Sequence, residues 1–248
     1  MESLESLDSD FLFTINRKTY GTKMVITGHR GAAKLEPENT CLSIKKAIDL
    51  GVDQIEIDVH LTKDQQLVVI HDQTVDRTTD GHGAVSDLSL QEIKQLDAGK
   101  GERIPTLQEV IDVVQRRVIL QIELKGPDTA EPVVRLIERK SIESAVILTS
   151  FVHERLRKVR QINLNIALGA LWSVPPDDVC QQALEIGVEA IHIQHQNIDA
   201  DLVREAHLQG LKIRAWNPDT TQEIQQMIDL EVDAVGSNRP DLLVQLCR

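Results

Sequence analysis

Two histidines in this chain each close an apolar run and stand directly before a charged residue. They are His29-Arg30 after Met24-Val25-Ile26-Thr27, and His71-Asp72 after Leu67-Val68-Val69-Ile70. Such surroundings pull two proton affinities apart, which an acid-base pair requires. Carboxylates recur at matching places, in Glu56-Ile57-Asp58 and in Glu123-Leu124-Lys125. Side chains two apart on a strand share a face, so Glu56 and Asp58 point the same way from backbone positions roughly 6–7 Å apart. Three carboxylates converging on one face do not all stay ionised without a cation between them. Hard oxygen donors favour Mg²⁺ or Ca²⁺, with Mn²⁺ as a third candidate, over zinc. The residues therefore read as a metal set of Glu56, Asp58 and Glu123 and an acid-base pair of His29 and His71. Arg30 and Lys125 read as cationic contacts for a phosphoryl group. Trp216 reads equally as a pocket wall or a core residue.

Taken singly, each has a plainer reading: a salt-bridged carboxylate, a packing histidine, a cation that balances nearby charge. The set resists it, because charged residues embedded in β-branched strands are costly unless paired or metal-bound. The other histidines carry less weight. His60, His82, His153 and His207 read as loop or surface positions, and His192 and His195, on the sixth strand, as residues that pack or else line the pocket.

Positioning these groups is the work of a repeated unit. A helical apolar period, a glycine, one apolar residue and a β-branched run recur around Gly51, Gly187 and Gly210, and a fourth copy carries Glu231 where the others have glycine. Glycine at a helix end turns the chain into a strand because it adopts positive φ without a Cβ clash. Repeated βα units imply a parallel sheet. Strand signals fall at 25–28, 55–59, 118–124, 146–150, 166–171, 190–194, 212–216 and 234–237, the eight that close a (β/α)₈ TIM barrel. The run 67–70 follows the second strand too closely for a parallel crossover, so it reads as an antiparallel hairpin arm carrying His71-Asp72 to the barrel mouth. Residues 73–103 read as a small insertion with a short helix opened by a capping box at Ser89-Leu90-Gln91-Glu92, and Pro105-Thr106 starts the next regular helix. Residues 1–22 read as an appended arm before one barrel domain at 23–248.

A length of 248 residues suits that barrel, and a net charge of −12 disfavours nucleic acid and anionic membranes as partners. Cys41, Cys180 and Cys247 have neither metal-ligand nor redox spacing. With no secretory leader pattern and no long apolar run, the reading is a cytoplasmic protein without stable membrane insertion. Oligomeric state is not legible.

With these motifs assembled, the chain resembles the glycerophosphodiester phosphodiesterase family. The carrying residues are His29-Arg30-Gly31, Pro37-Glu38-Asn39-Thr40, Glu56-Ile57-Asp58-Val59, His71-Asp72, Leu96-Asp97-Ala98-Gly99, Ile122-Glu123-Leu124-Lys125, Trp216 and Gly236-Ser237-Asn238-Arg239-Pro240. The resemblance implies metal-dependent hydrolysis of a small-molecule glycerophosphodiester to glycerol 3-phosphate and an alcohol. Glu56, Asp58 and Glu123 would hold one divalent cation, His29 and His71 would act as base and acid, and Arg30 and Lys125 would hold phosphate. Attack by the glycerol hydroxyl through a cyclic phosphate and direct attack by water both stay open. A lysophospholipase D and a barrel that binds phosphodiesters without turnover are the alternatives. Asn217-Pro218 and Ser237-Asn238 stand where the family often has Thr-Val and Thr-Asp, and are read as rim positions that affect substrate fit more than catalysis. Pro37 to Thr40 is read mainly as loop shaping, with Asn39 or Thr40 capping the first helix.

Overall fold

A computed structural model describes residues 24–248, so the arm assigned to residues 1–22 lies outside the described residues. Among the described residues there are nine strands, separated by helices except between the second and third: β1 (Val25–His29), β2 (Gln54–Leu61), β3 (Leu67–Val69), β4 (Ile119–Leu124), β5 (Val146–Ser150), β6 (Ala167–Trp172), β7 (Ala190–Gln194), β8 (Lys212–Trp216) and β9 (Ala234–Ser237). Eight are parallel in the order β1-β2-β4-β5-β6-β7-β8-β9, and β9 returns to β1 through Val25↔Ala234 and Thr27↔Gly236. This closed sheet with its surrounding helices is a TIM barrel. β3 stands outside it, antiparallel to the end of β2 through Val59↔Val69 and Leu61↔Leu67. Pairing with β3 carries β2 on to Leu61, past its last barrel pairing with β4 at Val59↔Leu124.

Alternation along each strand separates two environments. Ile55, Ile57, Ile122, Leu148, Ile191, Ile193, Ile213 and Val235 are buried beneath the helices. The opposite face carries Thr27, Gln54, Gln121, Thr149, His192 and Arg214 beside Gly169, Ala234 and Gly236. Barrel interiors are usually filled by Val, Ile and Leu, so this one is polar and thinly filled.

The helices are α1 (Cys41–Leu50), α2 (Leu90–Ile93), α3 (Leu107–Val114), α4 (Ala130–Lys140), α5 (His153–Ile162), α6 (Val179–Ile186), α7 (Ala200–Leu208), α8 (Thr221–Asp229) and α9 (Pro240–Cys247). Their start signals are local. Ser89, Thr106 and Thr220 each form a reciprocal capping box with the glutamate three residues on. Thr40, rather than Asn39, caps α1 by accepting from the Ser43 amide. Residues 73–103 pack Val75, Val85, Ile93 and Ala98 with Val68, Ile70 and Ile104 into a small second core. No helix among the described residues is long and apolar enough to cross a membrane.

Gly51, Gly187 and Gly210 end their helices at φ 86°, 79° and 76°, and Glu231 occupies the same left-handed region at φ 56° after α8. A Cβ is penalised there more than glycine's extra unfolded-state freedom costs. Glu231→Gly should therefore stabilise the exposed turn by about 0.5–1 kcal/mol. A thermal melt should rise by roughly 1–4 °C.

Candidate active site

The turn after β1 is built by close approach. A Cβ on Gly28 would lie 2.4 Å from the Gly31 carbonyl oxygen, and one on Gly31, at φ 82°, would lie 2.5 Å from Ser43 Oγ. Ser43 clamps this turn, donating to the Arg30 carbonyl and accepting from the Ala32 amide, both at 2.8 Å. The result aims the Arg30 amide at Glu56 Oε2, 3.1 Å away, and leaves His29 Nε2 3.7 Å from that same oxygen.

Glu56 and Asp58 on β2 and Glu123 on β4 converge so that one oxygen of each lies within 4.8 Å of the others. All three are buried. Burial, then Asp58 and Glu123, hold the Glu56 carboxyl well above its usual range. Burial and then Asp58 push Glu123 up to about 7. Burial acts the same way on Asp58, but Arg30 and Lys125 outweigh it and hold Asp58 down. Arg30 Nε is 3.3 Å and Lys125 Nζ 3.8 Å from the Asp58 carboxylate, yet Asp58 Oδ1 accepts no hydrogen bond. Three hard oxygen donors, mutual repulsion and an orphaned buried oxygen fit a divalent cation between them.

Each of the two histidines has a fixed tautomer. His29 Nδ1 donates to Asn238 Oδ1 at 2.7 Å, and Asn217 Nδ2 donates to Nε2 at 3.3 Å, so Nε2 carries the lone pair. Behind Asn238, Asp219 accepts from its side-chain and backbone N–H groups, both at 2.8 Å, and pairs with Lys34 at 2.9 Å. Burial first, and Arg30 second, push His29 down to about 4, so the ring is neutral at physiological pH. His71 Nδ1 donates to Asp72 Oδ1 at 2.6 Å, and Lys125 Nζ donates to Nε2 at 3.0 Å. Lys125 also reaches Glu123 at 3.2 Å.

The structure thus gathers His29, Arg30, Glu56, His71, Glu123, Lys125 and Trp216 around one cavity of about 240 Å³, with Asp58 adjoining through its partners. Trp216 forms a wall, packed edge-to-face on Phe151 with ring centroids 5.7 Å apart. Phe151 is not marked out by sequence, and the Lys125 ammonium stands 6.0 Å from its ring.

Several readings need correcting. Asn217 and Asn238 are not mere rim positions, since both hydrogen-bond the His29 ring. Asn39, at φ 58°, turns its amide onto Asp58 Oδ2 at 2.9 Å, and Glu38 accepts from Arg30 at 2.8 Å, so the second half of the opening motif holds charged groups of the site. His60 is no surface residue: it is buried on β2, and its Nε2 donates to the His71 carbonyl at 3.1 Å. Of the two readings for His192 the structure favours the pocket, whose cavity it borders, while His195 leaves the strand for a short 3₁₀ turn. His82 and His207 are at the surface, with 87 % and 42 % of their side chains exposed.

Arg77 had no sequence signal. Its guanidinium grips Asp72 through Nε (2.6 Å) and Nη2 (3.0 Å), and Glu38 through Nη1 (3.0 Å) and Nη2 (2.8 Å). It is a positioning residue, tying the carboxylate behind His71 to the one behind Arg30. Arg77→Met should lower kcat roughly 10-fold with a smaller change in KM, the range for lost outer hydrogen bonds, while Arg77→Lys should recover part of the rate. Steady-state kinetics at one metal concentration checks this.

Residues 29–242 match the model of the glycerophosphoryl diester phosphodiesterase family. A glycerophosphodiester phosphodiesterase of Caldanaerobacter subterraneus subsp. tengcongensis is 38 % identical over 239 residues, covering 91 % of this chain and 98 % of the relative. The crystal structure of an Oleispira antarctica phosphodiesterase in complex with the product sn-glycerol-3-phosphate superposes with a TM-score of 0.81 at 28 % identity, covering 92 % of this chain and 98 % of that one. A glycerophosphodiester phosphodiesterase from Agrobacterium tumefaciens gives a TM-score of 0.80 at 28 % identity, covering 90 % and 99 %. The motifs, the barrel and these matches agree: the chain belongs to the glycerophosphoryl diester phosphodiesterase family of hydrolases.

Proposed function

We propose that this protein is a cytoplasmic enzyme that hydrolyses glycerophosphodiesters to glycerol 3-phosphate and an alcohol, using one divalent cation, Mg²⁺ or Ca²⁺ with Mn²⁺ as a substitute. The observation that carries the reading is the pair of tautomer-fixed imidazoles flanking three clustered carboxylates. Glu56, Asp58 and Glu123 would hold the cation, which when bound supplies Lewis-acid charge to the phosphoryl oxygens.

The other groups have separable tasks. Arg30 and Lys125 bring positive charge to the phosphoryl group as negative charge grows on it. His29 Nε2, neutral and unprotonated, takes a proton from the attacking hydroxyl, and Nδ1 stays fixed on Asn238. His71 Nε2, which accepts from Lys125 as the site stands, serves as the acid after it takes up a proton and Lys125 turns to the phosphoryl group; it passes that proton to the leaving oxygen while Nδ1 stays anchored on Asp72. Trp216 supplies the apolar wall that excludes water on one side.

Release of glycerol 3-phosphate from glycerophosphocholine or glycerophosphoethanolamine, assayed with Mg²⁺, Ca²⁺ and Mn²⁺ in turn, tests this; no product with any of the three refutes it. One observation favours a second reading, lysophospholipase D. Phe151 and the adjoining Val152 are 41 % and 46 % exposed at the mouth, where an acyl chain could lie. Rates on deacylated and monoacyl substrates separate the two.

A further inference from the structure

The cavity does not stop at the carboxylates. It continues into the barrel and ends on Thr27, Gln121, His192 and Arg214. Arg214 Nη1 donates to Gln54 Oε1, which also accepts from Thr27 Oγ1 at 3.2 Å, while Arg214 Nε is buried without a partner. Gln54 is neutral, and the carboxylate whose charge reaches this guanidinium, Asp233, lies beyond ion-pair distance. Burial lowers Arg214 only to about 10, so it is a cation at physiological pH. Beside it stands His192, 3 % exposed, whose Nε2 has no hydrogen-bond partner. Burial and then Arg214 hold that imidazole neutral. Gly169 makes room for it, since a Cβ there would lie 2.3 Å from His192 Nε2.

A half-buried cation whose enclosed Nε–H is unpaired, on the wall of a cavity, is an incomplete hydrogen-bonding site. Its depth is informative. Gln54 precedes Glu56 by two residues on β2, which sets the floor roughly 6–7 Å along the strand below the carboxylate cluster. A three-carbon arm extending from a phosphoryl group at the cluster spans that gap. Leu171, Ala234 and Gly236 line the way and offer no charge.

We propose that Arg214, with His192 and Gln121, is the specificity-determining end of the pocket: it receives the hydroxylated arm of the substrate and turns cationic alcohols toward the mouth. This rests on the phosphodiesterase reading. A terminal hydroxyl accepts from the guanidinium and pairs with the neutral imidazole. A quaternary ammonium or amine entering the same floor would meet a like charge that the more distant Asp233 offsets only in part. The productive orientation is therefore glycerol inward and choline or ethanolamine outward.

The test is a calorimetric titration of the full chain with Mg²⁺ present, using sn-glycerol 3-phosphate, phosphocholine and inorganic phosphate. The wild type should bind glycerol 3-phosphate about 10-fold or more tightly than inorganic phosphate, and phosphocholine no more tightly than phosphate. Arg214→Gln should erase most of the glycerol 3-phosphate advantage and leave phosphate unchanged. Arg214→Lys, which keeps the charge, should retain part of it, and His192→Ala should lose severalfold; these two decide the matter should Arg214→Gln not fold. Equal wild-type affinity for the three ligands overturns the proposal, as does a parallel loss for all three in the variants. Diester hydrolysis is assayed separately: a wild type that shows this binding pattern without turnover refutes the catalytic reading and keeps the subsite.

Discussion

Replacing Glu56 by Gln is expected to lower kcat/KM by at least about 10²-fold while raising the melting temperature of the metal-free protein by a few degrees. The two effects have one origin. Glu56 is buried against Asp58 and Glu123, so its charge is unfavourable in the folded chain unless a cation neutralises it. The amide keeps the shape, removes the repulsion and would remove one donor to the proposed cation. Calorimetry should show weakened divalent-cation binding, and melts in chelator should show the gain. A variant that loses activity and stability together would make Glu56 a structural residue.

The same cluster sets a pH dependence with a definite sign. Glu123 is pushed up from 4.5 to about 7 when folded, by burial and then Asp58. Between those values the folded metal-free protein keeps a proton that the unfolded chain has released. Its contribution to stability is whole below about pH 4.5 and is lost as pH rises through about 7. Chelated samples should melt progressively lower across that window, and saturating Mg²⁺ should flatten the trend.

The second large effect is that of His29→Ala, expected to lower kcat by about 10²–10⁴-fold, the span of a lost general base. Metal affinity should move little, because His29 reaches Glu56 only at 3.7 Å. Asn238→Ala tests the anchoring separately. With the Nδ1 partner gone the ring still carries its lone pair but no longer holds one orientation, so kcat should fall by a smaller factor, roughly 10-fold, with KM little changed. Near-normal turnover in His29→Ala would remove that residue from the reaction.

What was legible in the sequence was whatever a strand displays. His29, Glu56, Asp58, Glu123 and Trp216 sit on β-branched runs whose two-residue period fixes their face, and the structure gathers them at one mouth. The helix-to-strand glycines and the short polar turn before β3 gave the barrel and its antiparallel arm. The roles of the supporting polar groups were hidden, even where a motif included the residue, because they act from loops. Asn39, Glu38, Arg77, Asn238 and Asp219 reach their partners across 8 to 209 residues of chain, with no periodicity to announce them. The floor was a different failure. Thr27, Gln54, Gln121, His192 and Arg214 each precede a site or wall residue by two positions, or face one across a strand pair. That alternation was available in the sequence and points to a polar barrel interior.

The placement of His71 has a consequence for regulation of the whole centre. It follows β3, beside a small core of its own, and is tied to the barrel by the β2–β3 ladder, the Asp58–Ile70 backbone bond, the His60 bond to its carbonyl and the Lys125 contact, with Arg77 joining its Asp72 partner to Glu38. One of the two imidazoles proposed to move protons thus belongs to an arm outside the closed sheet, which is expected to open at lower free energy than the barrel. Turnover can then be extinguished by partial opening, with the cation cluster and the other imidazole left standing. In hydrogen exchange this would appear as amides of residues 67–103 losing protection together, before those of the barrel strands, and regaining it when product fills the mouth.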